Sequence, residues 1–185
     1  MAMVDLLDMH KYFILQHLGD GDIAVDYTMG NGHDTEFLSK TVGPSGHVYA
    51  FDIQAAALES TKKNLAAANC PENYTLIHES HHLVKDFVKE KVKAGMFNLG
   101  YLPGSDKSIT TMRDTTLAAI DVAIELMDTD AIILIAVYPG HAEGDIEGKL
   151  VGEKLSQLDR KKYTVACFKM VTSPTSPFFY IIESR

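Results

Sequence analysis

The chain has 185 residues, 46% hydrophobic and 23% charged, with a net charge of -8. That length suits one domain, residues 1–185, with a sizeable core. No apolar run approaches the roughly 20 residues that span a membrane, and the acidic balance excludes a chain-wide basic coat for nucleic acid, though not a local basic patch.

In chain order, residues 4–18 read as a broadly apolar lead helix, with Leu6, Met9, Phe13, Ile14 and Leu18, within an N-terminal segment of residues 1–20. Strand one is expected at Ile23 to Tyr27, and a helix from Asp34 to Val42 stops at Gly43-Pro44-Ser45-Gly46. Strand two is Val48 to Phe51. Gln54 to Ala68, rich in Ala, Leu and Lys, reads as a helix. Strand three is Tyr74 to His78, followed by a helix from Leu83 to Val92.

Strand four is expected at Met96 to Leu102. A long helix then carries Ile109, Met112, Thr116, Ile120, Ile124 and Met127 at helical spacing. Ala131 to Val137 has the length of a buried strand five, and a helix occupies about Glu143 to Leu158. Tyr163 to Val171 and Phe178 to Ile182 have six residues between them. That gap is too short for a parallel crossover, so they should form an antiparallel hairpin. The expected fold is α/β: a mostly parallel seven-stranded sheet, helices on both faces, closed by a C-terminal hairpin. This is the layout of Rossmann-like class I methyltransferases that use S-adenosylmethionine (SAM).

Asp26-Tyr27-Thr28-Met29-Gly30-Asn31-Gly32-His33-Asp34 reads D-x-T-x-G-x-G-x-D between strand one and a helix start. Such a turn lets the backbone approach a ligand. Twenty residues after Gly32, Asp52 ends strand two, where a carboxylate can accept from both hydroxyls of a ribose. An adenosine-like cofactor follows. A dinucleotide would want a third glycine where Thr35 stands, and its pyrophosphate would be repelled by Asp26 and Asp34. The cationic SAM is favoured, with S-adenosylhomocysteine (SAH) as product. Candidate cofactor residues are Asp26, Thr28, Gly30, Asn31, Gly32, Asp34, Asp52, Ile53, Gln54, Ser80 and His81. Ser80 could equally cap the next helix.

Asn98-Leu99-Gly100-Tyr101 has the spacing of the N-P-P-Y motif of amino-group methyltransferases, with both prolines replaced. Neutral acceptors can orient an amine without quenching its lone pair, and in-line transfer needs that lone pair free. Asn98 and Tyr101 are therefore the candidate catalytic residues. Leu102, Pro103, Tyr138, Pro139 and His141 are candidates for binding substrate. His33 and His141 sit on cleft loops and suit a base. His78, His81 and His82 lack a completing Cys or acidic cluster, so no metal is expected. Lys85, Lys89, Lys91 and Lys93, and Arg160 to Lys162, form positive runs, one of which should track phosphates if the substrate is RNA. Asp5 and Asp8 stand where a signal peptide would be apolar, and Cys70 and Cys167 fit ordinary thiols, so a cytoplasmic protein is expected.

Four motifs in order, Asp26 to Thr35, Ala50 to Gln54, Phe97 to Lys107 and Val137 to Gly144, resemble the small bacterial SAM-dependent proteins labelled rRNA methylases. That family includes tRNA 5-(aminomethyl)uridine-34 methyltransferases. The resemblance implies N-methylation of 5-aminomethyl-(2-thio)uridine at the tRNA wobble position, with the anticodon region as RNA partner and a homodimer as the assembly. It sets Asn31 and Asp34 at the methionine end of SAM, Asp52 and Gln54 at ribose and adenine, and Ser80 and His81 at the adenine side. Asn98, Tyr101 and Pro139 would face the target. The chain departs from the family at Thr172 to Pro177, where asparagines before a Pro-Pro are usual, and at Ser105, where glycine is. The rival readings are an rRNA or small-molecule methyltransferase and, from another class, a SAM-binding protein without activity.

Overall fold

The computed structural model describes residues 6–100, 111–139, 142–173 and 175–185. Seven strands form one sheet in the order β3-β2-β1-β4-β5-β7-β6. They are β1 (Ile23–Asp26), β2 (His47–Phe51), β3 (Tyr74–Ile77), β4 (Val92–Leu99), β5 (Met127–Val137), β6 (Tyr163–Phe168) and β7 (Phe178–Ser184). Strands β1 to β5 pair in parallel, and β7 runs antiparallel to both β5 and β6. The expected sheet and closing hairpin are both observed.

The helices are α1 (Leu6–Ile14), α2 (His33–Val42), α3 (Ala55–Ala67), α4 (Val84–Phe87), α5 (Arg113–Leu126) and α6 (Ala142–Leu155), with a 3₁₀ turn at His81–Leu83 before α4. Strand β5 shows why the layers form. Ala131, Ile133, Ile135 and Val137 join one apolar cluster, with residues of α5 and α6. Ile132, Leu134 and Ala136 join the other, with Ile14 of α1 and Leu38 and Val42 of α2. Side chains alternate along a strand, so an unbroken apolar run is buried on both faces.

Two expected boundaries are corrected. Leu83 to Val92 is not one helix: α4 stops at Phe87, Val88 is extended, and β4 begins at Val92. Val88 and Val92 are both buried at helical spacing, but Val92 pairs with Met127 on β5, and sheet pairing overrides the local pattern. Met127 likewise belongs to β5 rather than to the preceding helix. The chain kinks nearby, where Asp130 takes φ 52°.

The chain goes from β1 outward to β3, then returns to lay β4 on the other side of β1. This reversal is the topological switch point, where open α/β sheets bind ligands at their strand carboxyl ends.

Candidate active site

Two segments meet at the switch point: the glycine turn after β1 and the end of β4. The Asn98 backbone N–H donates to Thr28 Oγ1 at 2.7 Å. The Asn98 side-chain amide donates to Asp34 Oδ2 at 2.7 Å. Tyr138, just after β5, donates its hydroxyl to Asn98 Oδ1 at 3.2 Å. Three of the expected site residues, Thr28, Asp34 and Tyr138, therefore surround Asn98, joined by bonds between segments distant in the chain.

Asp34 lies in the first turn of α2, where a carboxylate complements the helix dipole. Burial opposes its charge, but the His10 imidazole, the Asn98 amide and Lys11 outweigh that and hold the carboxyl below its ordinary range. His10, on α1, was not anticipated. Its Nε2 stands 3.5 Å from Asp34 Oδ1.

Asp26 occupies a different place from that expected. It is completely buried. Its Oδ1 accepts from the Thr28 N–H at 3.1 Å and its Oδ2 from the Thr35 hydroxyl at 2.6 Å. Burial and the Asp34 charge push its pKa up to about 7, against those two donors. Asp26 is thus a brace beneath the turn, with no surface to offer a ligand. Thr35 fills the third-glycine place because its hydroxyl completes that brace.

The glycines also serve the fold. Gly32 takes φ +83°, and a Cβ there would come within 2.8 Å of Thr61 Cα. The close approach at Gly32 is to α3 rather than to a ligand. Helix α3 grips the turn further: Thr61 donates to the Gly30 carbonyl, Ser60 to Asn31 Oδ1 at 2.9 Å, and Asn64 to the Gly32 carbonyl.

Asp52 sits opposite the turn. Its Oδ2 accepts from the Gly30 N–H at 3.1 Å and its Oδ1 from the Gln54 N–H at 2.9 Å. Burial raises its pKa, while the backbone donors of Gln54, Gly30 and Ile53 pull the other way. A carboxylate has about four lone-pair sites, so these three donors leave it one for a hydroxyl. Ile53 beside it is 56% exposed, an apolar platform at the strand end. Gln54 is the N-cap of α3, half-buried.

Ser80 stands at the N-cap of the 3₁₀ turn but makes no side-chain cap bond. Its hydroxyl pairs with His82 Nδ1 at 2.8 Å. His81 is buried, its Nδ1 3.1 Å from the Tyr27 carbonyl oxygen. Burial lowers its pKa to about 4, so the ring is neutral, and Nδ1 carries the proton that the carbonyl accepts. His78 bonds to the Ile53 carbonyl. The three histidines thus have three separate partners, and among the described residues no cluster of His, Cys, Asp or Glu is arranged to hold a metal. His33 is exposed at the start of α2, and Pro139 is half-buried beside Tyr138. Tyr101, Leu102, Pro103 and His141 lie outside the described residues.

The first lysine run lies away from this edge. Lys85 pairs with Glu125. Lys91 donates to the Glu125 and Met127 carbonyls, and Lys93 to that of Thr129. These are the entry of β4 and the start of β5, opposite the strand ends that carry the turn. Arg160 to Lys162 precede β6, whose start pairs with Ser184 at that same far end.

The site fits a SAM-like molecule in its chemistry: a carboxylate with acceptor capacity left at Asp52, an apolar surface at Ile53 and an ionised Asp34 suited to a cation.

A family model described as "Putative rRNA methylase" matches residues 48–183. The chain is similar to the chloroplastic tRNA (mnm(5)s(2)U34)-methyltransferase of Arabidopsis thaliana, at 36% identity over 183 residues, covering 92% of this chain and 66% of that protein. It therefore spans just under two thirds of that relative's length. Among solved structures it is similar to a "putative rRNA-methylase" from Clostridium thermocellum, with TM-score 0.96 and 37% identity over all of both chains. It is also similar to "a putative methyltransferase" from Streptococcus mutans in complex with SAH, with TM-score 0.90 and 35% identity over all of both chains. The Rossmann-like methyltransferase fold expected from the sequence is the fold observed.

Proposed function

Because the chain belongs to the rRNA methylase family, we propose that it is a SAM-dependent RNA methyltransferase acting on the amine of 5-aminomethyl-(2-thio)uridine at tRNA position 34. The observation that carries this reading is the anchored Asn98. Its N–H₂ end is taken by Asp34 and its carbonyl oxygen is only partly used by Tyr138. A carbonyl oxygen fixed in this way can accept from a neutral amine and leave the nitrogen lone pair free. The Arabidopsis relative's name, a methyltransferase of mnm(5)s(2)U34, supports an amine carried on a base.

Bound here, SAM would supply an electrophilic methyl on a cationic sulfur. Asp52 and Gln54 would hold its ribose and adenine, with Ile53 and His81 at the adenine side. Asn31 and Asp34 would face its methionine end. Asp26 acts from beneath, by bracing the turn. The amine nitrogen forms the new N–C bond as the C–S bond breaks, with the electron pair left on sulfur. The resulting ammonium loses its proton to solvent. Asn98 orients the amine, and Tyr101 is assigned to the target base. Tyr138 and Pro139 would line the approach, and Leu102, Pro103 and His141 are assigned to substrate from the sequence.

We place the protein in the cytoplasm, in keeping with two free cysteines, Cys70 and Cys167. No described helix is long and apolar enough to cross a membrane. A homodimer belongs to this reading: among the described residues β6 is the edge strand of the sheet, and two copies could join weak positive surfaces into one that follows an RNA backbone. The test is transfer of labelled methyl from SAM to bulk tRNA and, separately, to rRNA. Label in tRNA supports the assignment. Label in rRNA alone contradicts the wobble target.

A further inference from the structure

We propose that His10 is a positioning residue for methyl transfer, setting Asp34 and, through Asp34, the orientation of the Asn98 side chain. The inference rests on the amine-positioning role given to Asn98 above.

His10 is 4% exposed, and neither ring nitrogen has a hydrogen-bond partner among the described residues. A buried imidazole without such partners costs free energy that a leucine of similar size would not. Its Nε2 faces Asp34 Oδ1 at 3.5 Å, too long for a good hydrogen bond but well within Coulomb range. The other oxygen of the same carboxylate holds Asn98 Nδ2, and Asn98 Oδ1 receives the Tyr138 hydroxyl. Side chains from α1, α2, β4 and the β5 exit thus stand in one row.

The row has a chemical sense. The two ends of an asparagine amide are alike in shape, and only their partners decide which end carries oxygen. An ionised Asp34 only accepts, so it selects the N–H₂ end and turns the oxygen toward Tyr138 and the cleft. A protonated Asp34 would also donate, and the amide could bind it either way round. Ionisation of Asp34 therefore fixes the acceptor that the amine meets. Burial works against that ionisation, and His10 is foremost among the groups that offset it. The other charged groups here are Lys11, which follows His10 on α1, and the buried Asp26 of β1, whose own charge Asp34 opposes.

The experiment compares the wild type with His10→Leu, His10→Gln, Asn98→Ala and the double variant His10→Leu/Asn98→Ala. Turnover on tRNA at saturating SAM is measured, together with the proton shifts of the Asn98 side-chain amide by NMR without ligand. His10→Leu should lower kcat by about tenfold or more, a misplacement effect, and should move the Asn98 amide signal. His10→Gln, which keeps a donor but no charge, should recover only a small part of either. In the Asn98→Ala background His10→Leu should cost nothing further, because coupled residues are not additive. An equal loss in both backgrounds, or an unmoved Asn98 signal in folded His10→Leu, overturns the proposal. If the wild type methylates no RNA, the functional reading fails, and the Asn98 amide signal still decides the role of His10.

Discussion

The side-chain amide of Asn98 donates to Asp34 Oδ2 across 2.7 Å, although the two residues are 64 apart in sequence. The bond ties the end of β4 to the helix that follows the glycine turn, across the switch point of the sheet. It makes the cofactor half and the substrate half of the proposed site one unit. Asn98→Ala should therefore lower kcat by about 10²-fold, the scale of a lost positioning contact. SAH affinity, measured by calorimetry, should change little, because Asp52 and Ile53 are untouched. A parallel loss of SAH binding would place Asn98 in the cofactor site instead.

Asp26 gives a pH prediction with a definite sign. Its folded pKa is raised from 3.8 to about 7, so between those values the folded state binds more protons than the unfolded state. Stability from this group is greatest at low pH and falls as pH rises toward 7. Asp26→Asn removes that dependence and keeps an acceptor for the Thr28 N–H. Between pH 5 and pH 8.5 the variant should gain roughly 2–3 kcal/mol relative to wild type. Urea unfolding at the two pH values checks this. A constant difference would mean that Asp26 is already ionised at pH 5.

Gly32 tests the packing of the turn. At φ +83°, with a Cβ that would lie 2.8 Å from the Thr61 backbone, Gly32→Ala should destabilise by about 2–3 kcal/mol. A Thr61→Gly partner change should rescue little, since the Thr61 Cα stays at 2.8 Å and the backbone strain remains. Urea midpoints of the single and double variants check this, and full recovery in the double variant would contradict it.

The lysines of β4 and its approach are engaged at the far end of the sheet. Replacing Lys85 and Lys89 by Gln should leave tRNA affinity within about twofold and the salt slope unchanged, because each phosphate contact adds about one unit to that slope. A slope reduced by one or two would put this face on the RNA.

Much of the fold was legible because its signals are local. The unbroken run Ala131 to Val137 announced a strand buried on both faces, and the short gap before Phe178 required a hairpin. The glycine turn and Asp52 marked the ligand edge. The misreadings share one cause, which is partners distant in sequence. Val88 and Val92 carry a helical spacing, but Val92 answers to Met127 on a neighbouring strand. Asp26 reads as a ligand beside a glycine turn until Thr35, nine residues on, is seen to occupy its oxygen. Nothing in the α1 pattern singles out His10, because its neighbour Asp34 arrives only when α1 packs on the sheet.

The central claim is methylation of the wobble aminomethyl nitrogen, and nucleoside mass analysis tests it most directly. Purified protein and SAM are incubated with tRNA and, separately, rRNA from cells that lack the gene. The account predicts that 5-aminomethyl-2-thiouridine in tRNA gains the mass of one methyl while rRNA is unchanged. A methyl gained only in rRNA, or on a tRNA nucleoside without the aminomethyl group, would contradict it.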